Sequence, residues 1–514
     1  MTTHVTPSAL DNAVPFTRPH AVVIGAGFGG LAAAIRLGAR GYQVTIVEKL
    51  EQAGGRASVF RQDGYTFDAG PTIITAPFVF EELWALCGRR MEDDVTLERL
   101  EPFYSMRFDD GETFYRCSDP DKMKAEVARI SPGDVAGYEA LMKRCEQLYA
   151  YGFEQLGDIS FHSFKTMMKT FPQMARYRAD RSVYGMVSKY IKDERLRIAM
   201  SFYPLFVGGN PLRVTSVYCL ILHLERKFGV HFARGGTGAL VEGLVGLVKG
   251  QGGQLRLNAP VDEILTSGNK AIGVKLESGE AIKADLVVSN ADAIWGYDKL
   301  LPKHKGKRWT DKKISKVAHS MSLFVWYFGT DKRYEDVDHH SIILGPRYKE
   351  LLTDIFDRKL LADDFSMYLY RPTASDPSMA PDGCDSFYVL SPVPHLEADV
   401  DWSKESERYR KKLEARLEET VLPGLSSHIA TSKVMTPDDF ESRLNAPFGA
   451  AFGPEPRMFQ SAWYRPHNRS EEVENLYLVG AGTHPGAGVP SVVISAKVLD
   501  ELVPQADQWK DQNV

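Results

Sequence analysis

The stretch "VVIGAGFGGLAAAIRLGARGYQVTIVEK", residues 22–49, decides the fold. The apolar run 21–25 predicts a buried strand, the Ala- and Leu-rich stretch 28–40 a helix, and the alternation over 43–48 a second strand. Gly25, Gly27 and Gly30 stand between the first strand and the helix. Gly25 permits a tight turn, Gly27 lets the backbone approach a pyrophosphate, and Gly30 lets the helix pack closely on the strand. The helix N-terminus adds free N–H groups and about half a positive charge. Glu48 follows Gly30 by eighteen residues and ends the second strand. A carboxylate there accepts both ribose hydroxyls and repels a 2′-phosphate, which disfavours NADP. The stretch is therefore a dinucleotide-binding βαβ unit, but it does not by itself say which dinucleotide.

Working outward, "EKLEQAGGRAS" sets Gly54, Gly55 and Arg56 just beyond Glu48. The glycine doublet allows close backbone contact, and the guanidinium can neutralise a pyrophosphate or steady a flavin. "GYTFDAGPT", residues 64–72, closes on Thr72 and forms a small-residue loop suited to lie under a flat ring. Within it, Asp68 reads as a turn former. At the other end of the chain, "NLYLVGAGTHPGAGVPSVVIS", residues 475–495, predicts a strand at 476–479, a glycine turn through Gly482 and a helix starting near Val489. His484, inside that turn, is expected to pack or to hydrogen-bond the cofactor rather than to act as a base.

The glycine turn, Glu48, the Gly-Gly-Arg element and the 64–72 loop together resemble the flavoprotein superfamily of amine oxidases, protoporphyrinogen oxidases and carotenoid desaturases. The C-terminal block is similar to the signature of bacterial-type phytoene desaturases at Asn475, Tyr477, Gly480 through Gly486, Gly488, Val489 and Ser495. Further blocks, among them "SPGDVAGYE", "VGGNP", "SPVPHL" and "QSAWYRPHN", occur in that family's order, so the resemblance spans nearly the whole chain from about residue 20. It implies an α/β protein with a discontinuous Rossmann-like FAD-binding domain of amine-oxidase type and an inserted α+β substrate domain. It implies non-covalent FAD, held by Gly25, Gly27, Gly30, Glu48, Gly54, Gly55, Arg56, Thr72, Val261, Gly482 and Val489. Val261, in "NAPVDEI", falls where relatives hold the adenine through the backbone. The activity implied is desaturation of all-trans or 15-cis phytoene and partly desaturated carotenes to neurosporene or lycopene, with oxygen or a quinone as electron acceptor. Other readings are a different carotenoid desaturase, a ketolase or isomerase, an amine or porphyrinogen oxidase, or a non-catalytic lipid-binding escort. No acid–base pair stands out, and no catalytic residue is assigned.

The domain bounds expected are a disordered leader at 1–19, an FAD-binding domain from 20–110, 221–300 and 465–514, and a substrate and membrane-contact domain from 111–220 and 301–464. Residues 160–228 read as mostly helical, interrupted at "FPQ" and "GGNPL"; "SLFVWYFG", "FSMYLYRP" and "SFYVLSPVP" read as strands of a separate sheet. The chain has 514 residues, 44% hydrophobic and 25% charged, with net charge −5, which gives no global field for nucleic acid. Five cysteines without CxxC spacing suggest reduced thiols and a cytoplasmic setting, and no His, Cys or acidic pattern suggests a metal. No apolar run is long enough to span a bilayer. From Lys165 to Arg197, nine Lys or Arg stand against three acids, interleaved with Met, Phe and Tyr, which suits a helix lying in an anionic interface. A second basic run, "KHKGKRWTDKKISK" at 303–316, is the competing surface. The protein is thus expected to be peripheral on a membrane.

Overall fold

The computed structural model describes residues 18–301 and 306–512. The expected leader, apart from Arg18 and Pro19, and residues 303–305 of the second basic run lie outside the described residues. One sheet has five parallel strands in the order Leu476–Leu478, Leu286–Ser289, His20–Ile24, Gln43–Val47, Gln254–Arg256. Both ends and the middle of the chain contribute to it. Its inner strands are largely buried apolar runs because both faces are covered, whereas the edge strand Gln254–Arg256 is polar and partly exposed. The helices Phe28–Ala39, Thr237–Gly250 and Val489–Lys497 form one core with one face. The antiparallel strands Val261–Ser267, Lys270–Leu276 and Ala281–Lys283 pack on the other. All five strands point their C-terminal ends the same way, so the turns after Ile24, Ser289 and Leu478 meet at one edge, where ligands bind in such sheets.

A second sheet has seven strands, in the order Ile429–Met435, Ser322–Thr330, Asp385–Val393, Met367–Tyr370, His340–Ile343, Tyr104–Arg107, Thr113–Arg116. Alternation sorts its side chains. Phe324, Trp326 and Phe328 pack under the helix Trp402–Thr420 with Tyr409, Leu413 and Leu417. Leu323, Val325 and Tyr327 face the opposite way, into a core shared with the helices Val135–Gly152 and Leu220–Phe228.

Three expectations need correction. A boundary at 110 cuts the hairpin Tyr104–Arg107/Thr113–Arg116, whose two strands both belong to the seven-stranded sheet. "FPQ" does not interrupt a helix, because Pro172 sits inside Phe164–Arg176. That helix lies at the surface, where water can satisfy the carbonyl that proline leaves unbonded. Finally, 165–197 is not one surface helix. It forms Phe164–Arg176, Val183–Val187 and Glu194–Ala199, and Val183, Met186, Val187 and Leu196 go into the core.

Candidate active site

A cavity of about 780 Å³ runs from the edge of the parallel sheet to the inner face of the seven-stranded one. Gly25, Gly27, Glu48, Gly54, Gly55, Arg56, Thr72, Val261 and Val489 all line it. Gly30 and Gly482 stand behind the wall and act by packing. A Cβ on Gly30 would fall 2.0 Å from the Gly25 carbonyl oxygen, and one on Gly482 would fall 2.7 Å from Ala293 Cβ.

The turn after Ile24 needs Gly25 for its φ of +91°, and it delivers the chain to a helix whose N-cap is Gly27. Gly54 bridges to Gly27 and has φ +114°. Gly488 caps the helix Val489–Lys497 at the same cavity, so two helix N-termini open on it. Glu48 is buried at the end of its strand. Its Oε2 accepts the Ala26 N–H at 2.6 Å and its Oε1 the Leu50 N–H at 2.9 Å. Burial pushes this carboxyl upward, and the backbone donors oppose it. A carboxylate has about four acceptor positions, so two remain for ribose hydroxyls. Arg56 donates through Nε to the Ala451 carbonyl at 2.8 Å, while its buried Nη2 has no protein partner. Burial lowers the guanidinium's pKa against the opposing charge of Asp292.

Thr72 has a different setting from the one its loop suggested. Its hydroxyl lies 3.0 Å from Tyr368 Oη and 2.8 Å from Tyr388 Oη, and so joins the loop to the seven-stranded sheet. Asp68 is fully buried and accepts from Thr237 N–H and Oγ1, each at 2.7 Å, and from Tyr370 Oη at 2.8 Å. It ties the N-terminus of the helix Thr237–Gly250 to the second sheet. His484 stacks edge-on to Phe161, its Nε2 is 2.9 Å from the Leu156 carbonyl, and burial lowers its pKa to about 4.

Sequence reasoning missed three residues of the cradle. Asn290 directly follows the strand Leu286–Ser289 and fills the space between the two glycine turns. A Cβ at Gly27 would lie 3.1 Å from its Nδ2, and one at Gly480 would lie 2.6 Å from its Oδ1. Asp292 lines the cavity and caps the next helix through the Ile294 and Trp295 N–H groups. Arg465 is buried against the C-terminal turn and donates to the Ala481 carbonyl at 2.8 Å. "SNAD" after an apolar strand was the available signal for the first two; Arg465 lies in the "QSAWYRPHN" block, whose family resemblance was the available signal for it.

These residues fit a flavin dinucleotide. The ribose carboxylate has acceptor capacity left, Arg56 holds an unpaired buried donor at the wall, and the glycine cradle would be filled by any Cβ. Beyond the cradle the wall turns apolar and aromatic, with Phe202, Phe206, Leu323, Val325, Ile342 and Tyr368. Among the described residues, no three His, Cys, Asp or Glu side chains are grouped to hold a metal.

Fold and cradle together define an FAD-dependent oxidoreductase of the amine-oxidase architecture. The flavin containing amine oxidoreductase family model matches residues 28–498. The chain is 52% identical to a neurosporene-forming phytoene desaturase of Rhodobacter capsulatus, over 95% of this chain and 94% of that one. It is 47% identical to a lycopene-forming phytoene desaturase of Pseudescherichia vulneris, over 94% and 98%. A putrescine oxidase variant shares the fold, with a TM-score of 0.65 at 13% identity over 97% of this chain and 100% of that one. The chain belongs to the flavin-containing amine oxidoreductase family, on its bacterial-type phytoene desaturase branch.

Proposed function

We propose that this protein is an FAD-dependent phytoene desaturase that forms neurosporene or lycopene. The observation that carries this reading is the change of character along one cavity, from a ribose carboxylate and glycine cradle to a hydrocarbon wall. The similarity to neurosporene- and lycopene-forming relatives supports it. When bound, the flavin supplies a two-electron acceptor for hydride. Glu48, Arg56, Val261 and the two glycine turns would hold it. The apolar wall orients a carbon chain that offers no polar handle and keeps water from it. Oxygen or a membrane quinone would serve as the final electron acceptor.

Bringing about forty carbons into water costs roughly 0.8 kcal/mol per CH₂, on the order of 30 kcal/mol, so the substrate must come straight from a bilayer. Among the described residues, no helix is long and apolar enough to cross one. The docking element in our reading is Phe164–Arg176, which has two apolar faces. Phe164, Met168 and Phe171 point outward and are 51%, 52% and 61% exposed, whereas Met167, Thr170 and Met174 line the cavity. Such spacing on a helix places a lipid contact and a cavity wall on adjacent faces, about a quarter turn apart. Phe459, 72% exposed, lies beside it through Tyr464 and Trp463, whose ring meets Phe164 at 5.0 Å. Lys165, Lys169 and Arg176 are exposed and form no ion pair among the described residues, which leaves them for anionic headgroups.

The test is incubation of the purified yellow protein with phytoene in liposomes, under air or anaerobically with a quinone, with carotenes read by absorbance. Neurosporene or lycopene is expected. Failure to consume phytoene under either acceptor would overturn the reading.

A further inference from the structure

Within the apolar part of the cavity wall stands a charged side chain that a hydrocarbon substrate does not explain. Glu225 lies on the helix Leu220–Phe228, with Ile221 and Leu224 on the same cavity-lining face. It is 1% exposed. Its Oε2 accepts from Arg116 Nη2 at 2.9 Å and its Oε1 from Tyr104 Oη at 2.8 Å. Both partners are buried, and neither lines the cavity, whereas Glu225 does. Of the ion pair, Glu225 is thus the member at the cavity wall, with Arg116 behind it. Two accepted bonds leave about half of the carboxylate's acceptor capacity free. Aromatic rings crowd the same place. Tyr104 meets Phe202 at 6.0 Å and Phe206 at 5.9 Å, and Phe206 meets Tyr368 at 5.7 Å, with Phe202, Phe206 and Tyr368 at the wall.

A buried ion pair is a poor device for stability, since desolvating each charge costs several kcal/mol and apolar residues of similar volume would hold the helix as well. A saturated or alkenyl chain has nothing to bond to a carboxylate. The species that matches a carboxylate in an aromatic-rich apolar wall is a cation embedded in hydrocarbon. Removal of hydride from an allylic carbon creates such a cation on the substrate. Resting on the desaturase reading above, we propose that Glu225 stabilises this allylic cation and accepts the proton from the adjacent carbon. The C–H bond breaks, its electron pair becomes the second bond of the new alkene, and the proton goes to a carboxylate oxygen of Glu225. A bound flavin would supply the acceptor for the hydride and its two electrons, so the step balances. Burial raises the carboxyl's affinity for a proton while Arg116 opposes it, which suits a group that must be ionised before the step and protonated after it. The proton leaves for solvent as the product shifts along the cavity.

The test uses the FAD-loaded enzyme and two probes of equal length. One is a prenyl-chain tertiary amine, protonated at neutral pH, and the other is the uncharged hydrocarbon of the same shape. Dissociation constants are read from flavin fluorescence in detergent micelles. The wild-type enzyme is expected to bind the ammonium probe at least tenfold more tightly than the hydrocarbon. The Glu225→Gln/Arg116→Met double variant, which removes both charges, is expected to lose that preference and at least a hundredfold in kcat for phytoene. Its hydrocarbon affinity and flavin absorption should not change. Glu225→Gln alone strands the Arg116 charge, so it serves only as a comparison. Wild-type enzyme that converts phytoene but shows no preference for the ammonium probe overturns the inference and leaves the desaturase reading standing, as does a double variant that keeps the preference. Wild-type enzyme that does not convert phytoene sinks the desaturase reading instead.

Discussion

The Glu48 carboxylate takes the main-chain N–H of Ala26 in a 2.6 Å hydrogen bond. The residue expected to grip the ribose thus also braces the glycine turn that faces the pyrophosphate. Replacement by Lys removes an acceptor at both places and puts a cation beside the helix N-terminus. Loss of a charge-assisted bond costs about 1.5–3 kcal/mol, so Glu48→Lys should weaken FAD binding at least tenfold by equilibrium dialysis. Glu48→Gln, which keeps one acceptor oxygen, should fall between. A folded Glu48→Lys protein with unchanged FAD affinity would remove Glu48 from the cofactor site.

Gly30 gives a sharper geometric test. The Cβ of Gly30→Ala would meet the Gly25 carbonyl oxygen at 2.0 Å, and both groups are backbone held by the first strand and helix. Overpacking of this kind costs about 1–3 kcal/mol and occasionally more. Purified Gly30→Ala should show a lowered midpoint in urea and a lower ratio of flavin to protein. A variant with wild-type stability and full flavin would mean that the strand–helix contact is looser than described.

The surface helix Phe164–Arg176 should respond to two independent changes. Reversing Lys165, Lys169 and Arg176 to Glu removes attraction of about 1 kcal/mol per residue near an anionic surface; binding to liposomes rich in anionic lipid should fall at least tenfold and become insensitive to salt. Changing Phe164, Met168 and Phe171 to Ser should weaken binding to neutral liposomes as well, since each side chain contributes about 1.5–3 kcal/mol when buried. FAD content should hold in both. Unaltered binding and turnover in both variants would move the docking surface elsewhere, with the basic run ending at Lys316 next.

His484 predicts a pH dependence with a definite sign. Burial lowers its pKa to about 4 in the folded chain, against about 6.5 when unfolded. Between those values the unfolded chain binds the extra proton, so stability is complete above about pH 6.5 and falls as pH drops toward 4, by on the order of 3 kcal/mol. His339 and His395, lowered to about 3 by burial, act in the same direction. In urea unfolding at a series of pH values, His484→Gln should show a shallower loss between pH 6.5 and 4. An identical slope would mean that His484 takes up its proton in the folded state.

NAD should not serve as the hydride acceptor, because Glu48 ends the chain's one recognisable dinucleotide fingerprint. Anaerobic incubation with phytoene and NAD alone should give no more than a single turnover of flavin. Repeated turnover with stoichiometric NADH would contradict this.

The sequence by itself determined the first strand–helix–strand unit of the parallel sheet and its glycine turn. Gly25, Gly27, Gly30 and Glu48 act within one contiguous strand–turn–helix–strand unit, where local backbone geometry decides position and spacing is nearly structure. The block around Gly480 and Val489 is equally local. What faces what across the chain was not legible. Thr72 reads as a loop residue until Tyr368 and Tyr388 close on its hydroxyl from two neighbouring strands, 296 and 316 positions away. Residues 165–197 read as one basic surface, because burial of Met186 and Leu196 depends on what the second sheet and its helices pack against. Glu225 sits in a charged-looking helix end, and only the tertiary structure turns it toward an apolar cavity with Arg116 behind it. Turn chemistry is a short-range property written residue by residue, whereas the orientation of a buried charge is set by long-range packing that no local pattern encodes.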